Sequence, residues 1–290
     1  MKHPVISTNL TPTMRQLPIF GSNVHIWTYG KKSLPTIVVI HGYRGTHHGL
    51  ERIIEHLPGY QFIVPDLPGF GESSPMTERP HTIDGYADAI AKMITQLKLE
   101  PTILLGHSMG SIIAGRLTAT QPQLISKLIL INPIAKNPMS GLSGLIISPS
   151  ILYHWIGGVV LPEKAGRRIF DGHLPLLLGS VVMTKTKDPS ERQLIHATHK
   201  EYMTHYSDTR TLREAYKASI SRTVVDDAAN IPHDTLLIAG SEDSIAPIKS
   251  QYHLKATLPR ATLHEIGNVG HLVHYETASE AARTINDFLT

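Results

Sequence analysis

The sequence predicts an α/β protein: a mostly parallel sheet with helices on both faces and a helical insertion late in the sheet. Three observations carry that prediction. Apolar strand-like runs alternate with helix-period segments from residue 36 to residue 133. Residues 134–222, about ninety in all, then contain no clear β-branched run, which is too long for a plain connection and requires structure of its own. Finally, Gly106-His107-Ser108-Met109-Gly110, the only Gly-x-Ser-x-Gly in the chain, sits between an apolar run and a helical pattern. At 290 residues with 41% hydrophobic content, the chain suits a core of residues 1–133 and 223–290 carrying a helical cap of residues 134–222.

Each element has its own signature. Residues 15–20 and 23–29 alternate apolar and polar around Gly21-Ser22-Asn23, as an antiparallel hairpin does. Thr36–Ile40 is an unbroken β-branched run of the kind buried on both sheet faces. Leu50, Ile53, Ile54 and Leu57 mark a helix stopped by Pro58-Gly59, and Gln61–Pro65 is the next strand. A helical period runs from Thr82 to Leu99, Pro101 precedes the strand that leads to Ser108, and Lys127–Pro133 is again strand-like. Beyond the insertion the pattern resumes. Asp234–Gly240 is a strand, Ala246–Leu258 a helix, Ala261–Ile266 a strand and Glu276–Leu289 a closing amphipathic helix.

Composition narrows the function. The absence of cysteine excludes disulfides, thiolate metal sites and thiol nucleophiles together. Net charge is +3 but scattered, and the one tight basic group, Lys164, Arg167 and Arg168, reads as a solvated helix face, so no nucleic-acid partner is expected. Met1–Thr8 has no apolar run long enough for a signal peptide, which makes a cytoplasmic location the expectation. Gly69-Phe70-Gly71 lacks the third glycine of a dinucleotide loop. His196, His199 and His205 lie on a predicted helix from Ser190 to Tyr206 without the carboxylate spacing of a metal motif, so neither metal nor cofactor is expected.

Within the insertion, Asn137–Pro162 carries no formal charge and Leu174–Met183 is apolar. A transmembrane span, an interfacial lid and the lining of an apolar substrate cavity are the three readings. Pro149, Gly157-Gly158 and four serines break the first run, and a cap over an apolar cavity is the reading adopted, with Trp155 as a candidate substrate contact.

The chemistry follows from where the polar residues fall. Ligands gather at the C-terminal edge of a parallel sheet, and Ser108, Asp243 and His271 each follow a strand end there. A serine hydroxyl is a poor nucleophile until an imidazole takes its proton, and the imidazole needs a carboxylate to fix its tautomer. Ser108 is therefore the candidate nucleophile, His271 the base and Asp243 the orienting acid, with adjoining Glu242 as the substitute. Backbone N–H groups of Met109 and Tyr43 are the candidate oxyanion donors. His41 and Gly42 read as shaping that loop, and Arg44 as a solvated side chain.

These residues resemble the capped α/β-hydrolases. His41-Gly42, Asp66–Ser73, Gly106–Gly110, Gly240 with Asp243, and Gly270-His271 with Glu276 are similar to that family's landmarks over residues 20–290, the cap apart. The resemblance implies a serine hydrolase. A serine at the elbow speaks against the haloalkane dehalogenase and epoxide hydrolase branches, and Ser111 stands where many relatives have glycine. The carbon-carbon hydrolases of ring-fission products share the layout, but they typically carry Asn before the nucleophile and Trp after the histidine, where this chain has His107 and Leu272. The expected function is hydrolysis of a carboxylic ester with a small or medium apolar acyl part. The alternatives are carbon-carbon hydrolysis and a ligand-binding module without turnover.

Overall fold

The computed structural model describes residues 10–137, 139 and 142–290; the N-terminal reading of Met1–Thr8 and three positions of the first apolar run, Pro138, Ser140 and Gly141, lie outside them. Among the described residues the strands are β1 (Thr13–Ile19), β2 (Ser22–Tyr29), β3 (Thr36–Ile40), β4 (Gln61–Pro65), β5 (Thr102–His107), β6 (Ile125–Ile131), β7 (Thr235–Gly240) and β8 (Ala261–Ile266). They form one sheet in the order β1-β2-β4-β3-β5-β6-β7-β8. The β1–β2 hairpin joins β4 antiparallel, and β3 to β8 are parallel to one another. Central strands are buried along nearly their whole length, whereas β1 is exposed over most of its length, as befits an edge.

Successive strand side chains point to opposite faces, and the sequence puts apolar residues on both. Val38, Leu104, Leu128 and Leu237 pack under α2 (Ile83–Leu97) and α3 (Met109–Thr120), through Ile90, Ile94, Ile113 and Leu117 among others. Val39, Leu105, Ile129 and Ile238 pack on the other side against α1 (Glu51–Glu55) and the C-terminal helix through Ile53, Ile54, Ala281 and Ile285. The predicted helix over 50–57 is shorter than its apolar period suggested: a 3₁₀ turn, His47–Leu50, runs into α1. α2 starts where Thr82 Oγ1 accepts the Gly85 N–H at 3.1 Å, and it stops at Lys98 in the left-handed region.

Between β6 and β7 the described chain is helical: α4 (Leu142–Trp155), which continues into a π turn over Ile156–Val160, α5 (Glu163–Phe170), α6 (His173–Met183), α7 (Pro189–Tyr202) and α8 (Thr209–Ser221). Asp188 and Asp208 cap α7 and α8 by accepting first-turn N–H groups. The two ends of the insertion meet where the Val224 N–H donates to Ile134 O at 2.9 Å, so the excursion leaves and rejoins the sheet at one point. A backbone bridge from Phe70 to Tyr206 ties it to the loop after β4. After β7 come α9 (Ile248–Thr257), α10 (Val273–Glu276) and α11 (Ala278–Leu289); the closing helix expected from residue 276 starts two residues later, with the short α10 as a separate turn before it. No helix among the described residues is long and apolar enough to cross a membrane.

Candidate active site

Ser108 sits at φ 53°, ψ −121°, between the end of β5 and the first turn of α3. Such a conformation is strained for a residue with a side chain and persists only where the surroundings over-determine it. Here they do. A Cβ on Gly106 would lie 2.3 Å from Gly110 O, and one on Gly110 would lie 2.3 Å from Ile40 O, so the strand, turn and helix close on one another only because both are glycine. The Ser108 N–H donates to Ile131 O at 3.1 Å and its carbonyl accepts the Ser111 hydroxyl at 2.5 Å. Ser111, standing in place of a glycine, thus helps pin the turn.

His271 and Asp243 arrive from the loops after β8 and β7. His271 Nε2 is 2.8 Å from Ser108 Oγ, and its Nδ1 is 2.7 Å from Asp243 Oδ2. Both partners of the second bond are buried. Burial by itself would raise the Asp243 carboxyl. The positive field and hydrogen bond of His271, with the N–H groups of Ala246 and Ile245 at 2.9 and 2.8 Å, outweigh it and hold the acid at about 2. An ionised Asp243 can only accept, so His271 Nδ1 carries the proton and Nε2 faces Ser108 with a lone pair. Glu242, the substitute considered from sequence, has no part in this hydrogen-bond chain.

Sequence reasoning missed Asn132. Its Nδ2 donates to Asp243 Oδ2 at 2.9 Å and lies 3.2 Å from Gly270 O, so it joins the acid to the histidine loop. Its place just past the end of β6 was the available signal, since the other polar residues of the site also stand past strand ends.

Met109 opens α3, so its N–H belongs to the first turn and has no intrahelical carbonyl to bond. Tyr43 follows β3, and both residues line the cavity. His41 holds that loop: Nδ1–H donates to Gly42 O at 2.8 Å and Nε2 accepts the Leu67 N–H at 2.9 Å. Within the Asp66–Ser73 stretch, Asp66 accepts the His47 N–H at 2.7 Å and the Glu72 N–H at 3.1 Å, which makes that landmark a loop-ordering device. His107 is buried and held down to about 3, first by desolvation and then by the His271 charge; its Nε2–H faces His271 O at 3.3 Å.

Ser108 and His271 line a cavity of about 800 Å³ between the sheet edge and the inserted helices. Arg44 is the only Lys, Arg, Asp or Glu among the described residues that line it. That arginine corrects the sequence reading. It is 6% exposed rather than solvated, with Nε donating to Met203 O at 2.8 Å and a terminal nitrogen to Phe170 O at 3.2 Å, and so fastens the insertion to the core. Trp155 is corrected too: its ring is half exposed and outside the cavity lining, while its neighbour His154 faces inward. Burial holds His154 down to about 4, so it is neutral near pH 7. Its Nδ1–H donates to Ser150 O at 2.8 Å, which leaves Nε2 to accept the Tyr43 hydroxyl at 2.9 Å, and its ring stacks on Tyr216 at 3.6 Å. Nothing in the sequence announced this polar end of the cavity, because it exists only once α4 and α8 pack together.

His47, His48 and Glu51 form the one metal-like grouping among the described residues, their ligating atoms within 4.8 Å of one another. Existing bonds occupy them: His47 with Asp66, and Glu51 with the Tyr29 hydroxyl. On α7, His199 is buried in the packing of the inserted helices and bonds Ser180.

The fold and the arrangement at its edge define a hydrolase of the α/β type. The model of the alpha/beta hydrolase fold family matches residues 35–278, and the chain belongs to that family. It is 24% identical over 291 residues to the uncharacterised hydrolase YugF of Bacillus subtilis, covering 95% of this chain and 97% of that one. It is 25% identical to the 2-hydroxy-6-oxononadienedioate/2-hydroxy-6-oxononatrienedioate hydrolase 2 of Pseudomonas putida, over 88% of this chain and 87% of the other. Against Lipase 3 of a Moraxella strain the identity is 26%, over 87% and 76%.

Proposed function

We propose that the protein is a serine hydrolase that cleaves carboxylic esters of small or medium apolar acyl substrates through an acyl-enzyme intermediate. One observation carries the reading: a hydroxyl, an imidazole and an ionised carboxylate in hydrogen-bond contact, the first two facing a cavity whose lining is mostly apolar. In this mechanism Ser108 Oγ attacks the ester carbonyl as His271 Nε2 takes its proton, and Asp243 stabilises the imidazolium. The N–H groups of Met109 and Tyr43 receive the oxyanion. Collapse of the tetrahedral intermediate breaks the ester C–O bond, and His271 returns the proton to the departing alkoxide. Water, deprotonated by the same imidazole, then releases the acid. No cofactor takes part. In this reading residues 134–222 are a cap over the acyl site on a core of residues 1–133 and 223–290.

Hydrolysis of a carbon-carbon bond in a diketone has the Pseudomonas putida relative in its favour. That relative's named substrates are dioates, and a doubly anionic ligand fits poorly where the one permanent cation is already bonded to two carbonyls. An ester chain-length series run beside a dienone substrate separates the two. The decisive experiment is labelling with a serine-directed phosphonate. Wild type should be labelled at Ser108, and Ser108→Ala should lose both the label and about 10⁴-fold or more of its turnover. An unlabelled wild type would favour a ligand-binding module, and retained turnover in Ser108→Ala would reject the assignment.

A further inference from the structure

Helix α6 turns Leu176 and Ser180 inward and leaves much of its apolar surface facing water. Its inward face presents Ser180, 1% exposed, whose hydroxyl lies 2.6 Å from His196 Nδ1 and 2.7 Å from His199 Nδ1 on α7, so one imidazole accepts its proton and the other donates to it. Its outward face presents Leu174, Leu178, Val181 and Val182, spaced as one helical stripe and each half exposed or more. The Ser244 hydroxyl reaches Val182 O at 3.5 Å, which sets the exposed Ile245 next to that stripe. Leu174, Leu178 and Ile245 also line the cavity, so the stripe and the cavity mouth are one continuous apolar surface.

The charges near the stripe in sequence are mostly positive. From residue 159 to residue 188 the chain carries Lys164, Arg167, Arg168, Lys185 and Lys187 against Glu163, Asp171 and Asp188. Arg167 is bonded to Glu163, and Asp171 faces Arg44, but Lys164, Arg168 and Lys187 are exposed. An apolar stripe on a short helix, flanked by cations, is what lies flat in a lipid interface and gains from negatively charged headgroups.

We propose that the outer face of α6, together with Ile245, docks on an anionic lipid surface with the cavity mouth turned toward the lipid. The docking itself stands apart from the ester reading. Its connection to chemistry is short, because α6 ends against the histidine loop. Met183 O accepts the His271 N–H at 3.2 Å, and the Glu276 carboxylate accepts the N–H groups of Lys185, at 3.0 Å to the nearer oxygen, and of Thr186.

The test is sedimentation of the full chain with vesicles of phosphatidylcholine, alone or mixed with phosphatidylglycerol. The chain should bind the mixed vesicles more tightly and release them as salt rises. Val181→Asp with Val182→Asp, which are outside the cavity lining, should cut that binding at least about tenfold while kcat/KM on a soluble aryl acetate stays within about twofold. Lys164→Glu with Arg168→Glu provides a second, purely electrostatic test and should weaken binding to the mixed vesicles alone. Ser108→Ala should bind as wild type does, so a failed ester assignment and a failed docking assignment give different results. No binding to either vesicle, equal binding to both, binding that neither double variant reduces, or a dimer in sedimentation velocity that Val181→Asp with Val182→Asp dissociates would each overturn the proposal.

Discussion

Asp243 accepts from His271 Nδ1 through one oxygen and from two backbone N–H groups through the other, which fixes both its charge and its orientation. Asp243→Asn would keep the shape but offer an N–H where His271 presents one, turning the imidazole to the tautomer that cannot accept from Ser108. We expect kcat for an ester to fall about 10³- to 10⁴-fold with little change in KM. A loss under tenfold would place the orienting role elsewhere. At this scale the sequence was most informative about Ser108, His271 and Asp243, because their order and their positions past strand ends are one-dimensional facts. Arg44 and Asn132 were misjudged or passed over because burial decides their roles. A guanidinium far from any carboxylate in sequence gives no hint that two backbone carbonyls, at Met203 and Phe170, await it.

Among the elements, the turn at Ser108 holds a strained residue, and its two glycines are what make it buildable. Gly110→Ala would drive a methyl group toward Ile40 O and His41 O, which are backbone atoms of β3 and its loop and cannot rotate away. The expected cost is about 3 kcal/mol of stability, read from a denaturant melt, together with loss of activity as Ser108 is displaced. A variant as stable as wild type would show that the turn relaxes more easily than these contacts allow. On α6, Ser180→Ala would remove the shared partner of His196 and His199, and it should lower stability by about 1–3 kcal/mol because at least one imidazole nitrogen is left buried without a hydrogen bond. The strand and helix periods were legible before any coordinates, down to the alternation that sends Val38 and Val39 to opposite layers. Where an element starts or breaks was less so. The 3₁₀ turn before α1 and the separation of α10 from α11 at Thr277 are boundary details that an apolar period does not fix.

The whole molecule stores several neutral histidines, and that sets its response to acid. Burial is the main cause that lowers His107 to about 3, His154 to about 4 and His199 to about 3, against 6.5 for an exposed imidazole. Between those values the unfolded chain takes up protons that the folded chain refuses, so stability is full above 6.5 and falls as the pH drops below it. Each of the three should cost about 1 kcal/mol at a pH of about 5.5. Asp243 adds a second loss at lower pH, as the medium passes from 3.8 toward 2 and only the unfolded carboxyl is protonated. Denaturant melts at neutral pH and near pH 5.5 should differ accordingly; equal midpoints and slopes would mean that these imidazoles are protonated in the folded state as well.

What the sequence determined by itself is the sheet, its helices and which polar residues gather at its edge. Hydrophobic period, glycine at a forced turn and polar residues after strands are local signals, and each survives being read one residue after another. The tertiary structure alone decided which way the apolar residues of the insertion face. An apolar run looks the same along the chain whether it faces a cavity, a core or the solvent. Only the packing of α6 on α7, with a serine and two histidines on the inner side, determines that Leu174, Leu178, Val181 and Val182 are left on the outside. Facing is a property of contacts between distant segments, and no stretch of sequence contains it.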